Sequence, residues 1–253
     1  MKRKIIKDLL QLIEDFITYL ISYRNLSKFT VRNYKNDLKI FKDFINLDNN
    51  ILLENIDKSL IRKYVHYLNT KGYQRSSINR KLSVLRSLFN YVSTNSDFDE
   101  ITISMISKSK IQKKLPSIIS IEQTERLISS IDVTNLLGVR DRALIEILYT
   151  TGMRVSEISS LNIDDFIDKN KIKLMGKGAK PRVVFMSGTA RTWIDQYIKL
   201  CSQKFKNHQN NALFLNRFGA RLSVRSIQNI VKKYGYKSGI GVSLHPHLLR
   251  HTF

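Results

Sequence analysis

Three short strings carry residue types and spacings from which phosphate chemistry could be built: TTGMRVSEI at 150–158, GKGAKPR at 176–182 and LHPHLLRHTF at 244–253. The first holds Arg154 and Glu157, the second Lys177, the third His247 and Arg250. Moving a phosphodiester from one oxygen to another without a metal needs fixed positive donors around the non-bridging oxygens, where charge builds in the pentavalent transition state. Guanidinium suits this, being planar, forked and permanently charged. Arg154 opens a helix just after a glycine break, where free backbone amides and the helix dipole also favour an anion. Glu157 follows one turn later, a spacing that lets its carboxylate hold the arginine. Alone, that pair reads better as a surface salt bridge. Lys177 lies at the tip of a tight hairpin, between two glycines that would let the backbone approach a duplex closely. Pro246 suits the first position of a helix, which sets His247 and Arg250 three apart on one face. One can move protons near neutral pH while the other grips phosphate.

Two rival chemistries fit less well. A nucleotide-binding phosphate loop needs a glycine where Lys171 stands and a Ser or Thr where Gly178 stands. A metal site could draw on His245, His247 and His251, but Arg250 would add positive charge beside the cation, and no carboxylate or thiol neighbours the cluster. Neither a metal nor another cofactor is expected.

The elements that must position these groups fall into two parts. The chain has 253 residues, 42% of them hydrophobic and 25% charged, which is the composition of a packed globular protein. Lys and Arg outnumber Asp and Glu by 43 to 21, a formal charge of +22. The surplus is even: 22 basic against 11 acidic residues in 1–114, and 21 against 10 in 115–253. So large a charge implies a polyanionic partner, DNA or RNA, and its even spread suits a protein that clamps a duplex from two sides. A general RNA-binding protein would share this balance. The single cysteine, Cys201, forms no internal disulfide, no stretch near the start resembles a signal peptide, and no apolar run is long enough to span a membrane. A reducing cytoplasm is the expected setting.

Periodicity predicts helices through the first hundred residues. In the second, Tyr34, Leu38, Phe41 and Ile45 form an apolar stripe, with Arg32, Lys35, Lys39 and Lys42 on a positive one. In the fourth, Ile78, Leu82, Leu85, Phe89 and Val92 face the core, with Arg80, Ser83 and Ser87 opposite and Arg75, Asn79, Arg86 and Asn90 at the flanks. Such side chains hydrogen-bond phosphates and base edges, although a solvated face would look the same. From about Ile103 to Pro116 the pattern breaks into a polar, basic stretch, the best domain boundary. Beyond it, Ser120 and Gln123 form a capping box, a helix ends at Gly152, and a short helix begins near Arg154. Residues 171–186 read as two strands joined by the turn 176–181, helices follow near 189–203 and 223–236, and a short strand is expected at Ala212–Leu215. The fold class is therefore mainly α: a four-helix amino-terminal domain, then a mainly helical domain with a small antiparallel sheet.

Taken in order, the three strings resemble the tyrosine recombinase (lambda-integrase) family, most closely its Xer-type members, and the resemblance covers nearly the whole chain. It implies a helical, SAM-like core-binding domain over 1–104, a basic linker over 105–117 and a catalytic domain over 118–253. The implied activity is site-specific DNA recombination by metal-free cleavage and rejoining through a 3′-phosphotyrosyl bond, in a homo- or hetero-tetramer on paired sites of double-stranded DNA. Chromosome-dimer resolution is the favoured task, with a mobile-element integrase as the alternative. By the same resemblance Arg154 and Arg250 clamp the phosphate, Glu157 buttresses Arg154, Lys177 protonates the departing 5′-oxygen and His247 is the general acid/base. Arg32, Lys35, Lys39, Lys42, Arg75, Arg80, Ser83 and Arg86 become the candidate DNA contacts. Two departures stand out. His245 occupies a position where a Ser or Thr usually caps the helix, a loss of about 1 kcal/mol. The family's nucleophilic tyrosine lies beyond the point matching Phe253, and neither Tyr149, Tyr234 nor Tyr236 has a matching context. The expectation is therefore a fragment of a working recombinase that lacks the nucleophile segment, with a truncated, non-cleaving DNA-binding protein as the alternative.

Overall fold

A computed structural model of the protein describes residues 9–45, 58–95, 118–175, 181–205, 211–240 and 244–252. The chain divides into two compact units, Met1–Lys113 and Lys114–Phe253.

Four helices make up the described part of the first unit: α1 (Leu9–Ser22), α2 (Lys28–Ile45), α3 (Lys58–Thr70) and α4 (Arg75–Asn95). The apolar stripes converge as their spacing predicts. Leu38, Phe41 and Ile45 of α2 and Ile78, Leu82, Leu85, Phe89 and Val92 of α4 are all buried, together with Phe16, Leu20, Tyr64 and Leu68 from α1 and α3. Aromatic edges lock the centre: the Phe41 and Tyr64 rings lie 5.0 Å apart in a T-shaped arrangement. Two charges enter this core unannounced by the periodicity. Asp37 and Lys81 are each 2% exposed and pair at 2.7 Å, with the Lys81 ammonium 4.8 Å from the Tyr73 ring centre. The other carboxylate oxygen of Asp37 accepts from Arg80, which reaches in from an exposed position.

In the second unit a Ser120 capping box opens α5 (Ile121–Ser129), with Gln123 N–H donating to the serine hydroxyl and the Gln123 side chain accepting from Ser120 N–H. Next comes α6 (Leu136–Thr151), capped by Asn135 and ended by Gly152 in the left-handed region at φ 57°. Helix α6 lies inside the unit, with Arg140, Asp141 and Glu146 buried along with its apolar residues. Val139, Ala143, Leu144, Ile145, Ile147 and Leu148 are at most 1% exposed. It packs against α8 (Gly188–Lys204) and the last described helix, α10 (Pro246–Thr252). Between them come α7 (Val155–Ser160), a 3-10 turn at Ile163–Asp165, the strands β1 (Phe166–Asp168), β2 (Lys171–Met175) and β3 (Pro181–Phe185), and, after α8, α9 (Val224–Lys237). The sheet is antiparallel in the order β1-β2-β3, with Leu174 opposite Arg182 and Lys171 opposite Phe185.

The molecule is thus mainly helical with a small antiparallel sheet. Two details differ from the sequence reading. A third strand, β1, pairs with β2; at three residues it is too short for alternation to announce it. Residues 212–215 form no strand. Ala212 bridges Asn162 and Leu215 bridges Arg221, each a single contact, because the segment spends its hydrogen bonds on irregular chain at Leu161 and Leu222.

Asp37→Ala would strand the Lys81 ammonium in an apolar core. Breaking one side of a buried pair costs about 3–5 kcal/mol. We expect urea unfolding of the variant's first unit to shift accordingly, whereas a loss under about 1 kcal/mol would mean that water reaches Lys81 freely.

Candidate active site

The geometry around Arg154 starts with Gly152. The left-handed turn there releases the chain from α6, buries Met153 and leaves Arg154 in an extended conformation as the N-cap of α7. A helix of six residues has little stability of its own, so its position depends on ties to its surroundings. Ile158 supplies one, being fully buried. Others come from the segment before α9: Ser159 donates its hydroxyl to the Leu222 carbonyl at 2.8 Å, and Arg221 donates to the Leu161 carbonyl at 2.9 Å.

Glu157 gathers three donors. Its Oε1 accepts from Arg154 Nη1 at 2.9 Å; its Oε2 accepts from Arg154 N–H at 2.8 Å and from Arg182 Nη2 at 2.9 Å. The Glu157 side chain is 13% exposed, that of Arg154 53%. The carboxylate is therefore sheltered while the guanidinium it holds faces solvent. Burial pushes the Glu157 carboxyl up, and the bonds from the Arg154 backbone, Arg154 guanidinium and Arg182 outweigh it, leaving its pKa below the ordinary 4.5. Sequence reasoning missed Arg182. The partner lies 25 positions from Glu157 and on a strand, a separation at which only the fold brings two side chains together.

Pro246 opens α10, and His247 is exposed on it. Arg250 is half-buried, and its Nη1 is buried without a hydrogen-bond partner among the described residues. A buried guanidinium nitrogen left unpaired is costly, so this one is suited to an incoming acceptor. The helix carrying it packs on α6, whose C-terminus leads directly into Arg154. The cap expected to be missing at this helix is present in another form. Leu248 N–H donates to His245 Nδ1 at 2.9 Å, so an imidazole takes the part of a Ser or Thr hydroxyl. That bond also takes Nδ1, leaving Nε2 as the one ring nitrogen of His245 that could serve as a metal ligand. Among the described residues no group of three or more His, Cys, Asp or Glu could hold a metal ion. The side chain of His251 and all of Lys177 lie outside the described residues.

Of the candidate DNA contacts, Arg32, Lys35 and Lys39 are exposed on α2 and Lys42 is half-buried, with the three lysines bordering a groove between α1 and α2. On α4, Arg75 is exposed, Arg86 half-buried and Arg80 tied to Asp37. The Ser83 hydroxyl donates to the Asn79 carbonyl at 2.8 Å, within its own helix. No described helix is long and apolar enough to cross a membrane.

A depressed carboxyl stabilises the fold above its unfolded-state pKa, and that contribution is lost as pH falls through the folded-state value. Comparing urea midpoints of the protein and Glu157→Gln should show a difference that is full near neutral pH and shrinks as pH falls below 4.5. A difference independent of pH down to 3 would mean that Glu157 is not held as an anion.

The chain has recognisable relatives. The Phage integrase family profile matches residues 118–253, and the profile of the phage integrase N-terminal SAM-like domain matches residues 13–94. Tyrosine recombinase XerD of Listeria monocytogenes serotype 4b (strain F2365) is 33% identical over 246 residues, covering 96% of this chain and 83% of its own. Tyrosine recombinase XerC of Chlamydia caviae is 34% identical over 256 residues, covering 94% and 82%. Among solved structures, the XerH site-specific recombinase in its post-cleavage complex with a palindromic difH substrate has a TM-score of 0.80 at 22% identity, covering 97% of this chain and 83% of that one. A lambda integrase dimer bound to a COC′ core site has a TM-score of 0.73 at 15% identity, covering 96% and 87%. Those two likenesses speak to the fold alone. The family profile spans more than half the sequence and XerD and XerC match it across both units, so the chain belongs to the phage integrase family, the tyrosine recombinases.

Proposed function

We propose that this protein takes part in site-specific recombination of double-stranded DNA, with Arg154 and Arg250 gripping the phosphate at which a strand is cut. The observation that carries this reading is the buried Nη1 of Arg250, without a partner among the described residues, on a helix packed against the one that delivers Arg154. Two permanent cations and an exposed imidazole match what a metal-free phosphoryl transfer asks of a protein. In that reaction a tyrosine oxygen attacks phosphorus and the bond to the 5′-oxygen breaks. The departing oxygen takes a proton, which we assign to Lys177, and His247 serves as general acid/base. The reverse attack by a 5′-hydroxyl restores the phosphodiester, so bond energy is conserved and no nucleotide is consumed. The positive stripes on α2 and α4 would position the duplex through its phosphates. Likeness to XerD and XerC across both units supports a homo- or hetero-tetramer on paired sites, chromosome-dimer resolution as the task and the cytoplasm as the setting.

We also propose that none of the second unit's tyrosines is the nucleophile. Burial pushes the phenol of Tyr197 up and its oxygen accepts from Leu215 N–H at 3.0 Å. Burial, then the charge of Asp141, pushes Tyr234 up, and its hydroxyl donates to that carboxylate at 3.1 Å. Both are poor sources of a phenolate. Tyr149 on α6 and Tyr236 on α9 lack the sequence context that the resemblance implies for the nucleophile. A polypeptide of residues 1–253 alone would then clamp a duplex without cutting it.

A duplex selected for tight binding and nicked near the cleavage position tests both statements. The 253-residue polypeptide should retard it in a gel and trap no covalent adduct; a 3′-linked adduct would make one of the four tyrosines the nucleophile. In a form that does trap adduct, Arg154→Ala or Arg250→Ala should slow trapping by about 100-fold or more, with a smaller loss in affinity. Equal losses in both would remove the transition-state role.

The α2 stripe makes a separate prediction. Lys39→Ala should weaken binding alike on all duplexes and lower the slope of log affinity against log salt by about one unit. An unchanged slope would return the stripe to a solvated face.

A further inference from the structure

Arg182 stands apart from the residues assigned so far. It is half-buried on β3 opposite Leu174, and its contact within the site is Glu157. That contact shares an oxygen: Oε2 of Glu157 receives Arg182 Nη2 and the Arg154 N–H, while Oε1 receives Arg154 Nη1. The Arg154–Glu157 pair by itself spans three residues of a six-residue helix and has one partner 53% exposed. Exposed pairs of this kind hold a side chain weakly. Arg182 changes that by fixing the carboxylate from a second element, and it does so without neutralising Arg154. Two guanidinium groups and one carboxylate leave one positive charge over, on the side facing solvent.

We propose that Arg182 is a positioning residue: through Glu157 it orders the Arg154 guanidinium, so that β3 and the opening of α7 present that guanidinium as one unit. The proposal rests on the phosphate-gripping role given to Arg154 above and adds what keeps the grip in shape. A competing assignment, in which Arg182 itself binds phosphate, would leave Arg154 as ordered without Arg182 as with it.

The test follows hydrogen exchange of the Arg154 guanidinium N–H groups by NMR in the 253-residue protein, with the resonances assigned by their loss in Arg154→Lys. Arg182→Met should speed that exchange by tenfold or more while the backbone amide spectrum is retained. In a Glu157→Gln background, where the shared carboxylate is gone, adding Arg182→Met should change the exchange less than twofold. If Arg182→Met fails to fold, Arg182→Lys, which keeps the charge but not the fork, should give the same pattern at about threefold. Exchange within twofold of the parent in the single variant, or the full effect persisting in the Glu157→Gln background, overturns the proposal. The measurement needs no DNA. Loss of duplex binding with the exchange pattern intact would remove the phosphate-gripping role and leave the positioning; normal binding with unchanged exchange would do the reverse.

Discussion

Cations brought together to hold one phosphate repel each other until the phosphate arrives, and a chain with a formal charge of +22 has few acids with which to balance them. Sharing one carboxylate between two donors meets that constraint. Glu157 takes Arg154 and Arg182, Asp37 takes Lys81 and Arg80, and Asp141 takes Arg140 and the hydroxyl of Tyr234. In the first two cases the sheltered carboxylate meets two cations, and one of these stays largely exposed with its charge uncompensated. A one-to-one pairing would give similar rigidity and no surplus. The arrangement thus ties elements together and leaves positive charge facing outward.

That division also explains why the site tolerates its exposure. An arginine at the head of a short helix, more than half open to solvent, would ordinarily sample many rotamers, and ordering it on binding would cost about 2 kcal/mol of side-chain entropy. Held through both a backbone N–H and Nη1 on the same carboxylate, Arg154 has given up much of that freedom beforehand. Arg250 takes the opposite route to readiness. Its guanidinium is half-buried by packing, so its order comes from shape, and the unpaired Nη1 is the cost of that burial. One donor is preorganised by charge and the other by packing, which makes the two respond differently to salt and to acid.

Much of this was legible in the amino-acid sequence because it rests on local rules. The stripes of α2 and α4, the Ser120 capping box, the glycine end of α6 and the opening of α7 at Arg154 all follow from residues within a turn or two of each other. The pairings that give the site its order were not legible. Arg182 is tied to Glu157, and Lys81 and Arg80 to Asp37, across 25, 44 and 43 positions, and no periodicity encodes such distances. Lys81 was the harder case, since it interrupts an apolar face that would otherwise read as continuous. His245 misled for a chemical reason: a cap needs an acceptor of suitable reach, and a neutral imidazole nitrogen has one, although the usual ranking favours oxygen.

The His245 cap bears on how α10 is tuned. A hydroxyl cap accepts from a backbone N–H at any ordinary pH, whereas His245 can do so only while Nδ1 is unprotonated. Two residues on, His247 is exposed. The same short helix therefore begins with one imidazole committed to its fold and continues with another that faces solvent, three residues before Arg250. A substitution at His245 acts on α10 through the Leu248 N–H that it caps, two residues before Arg250.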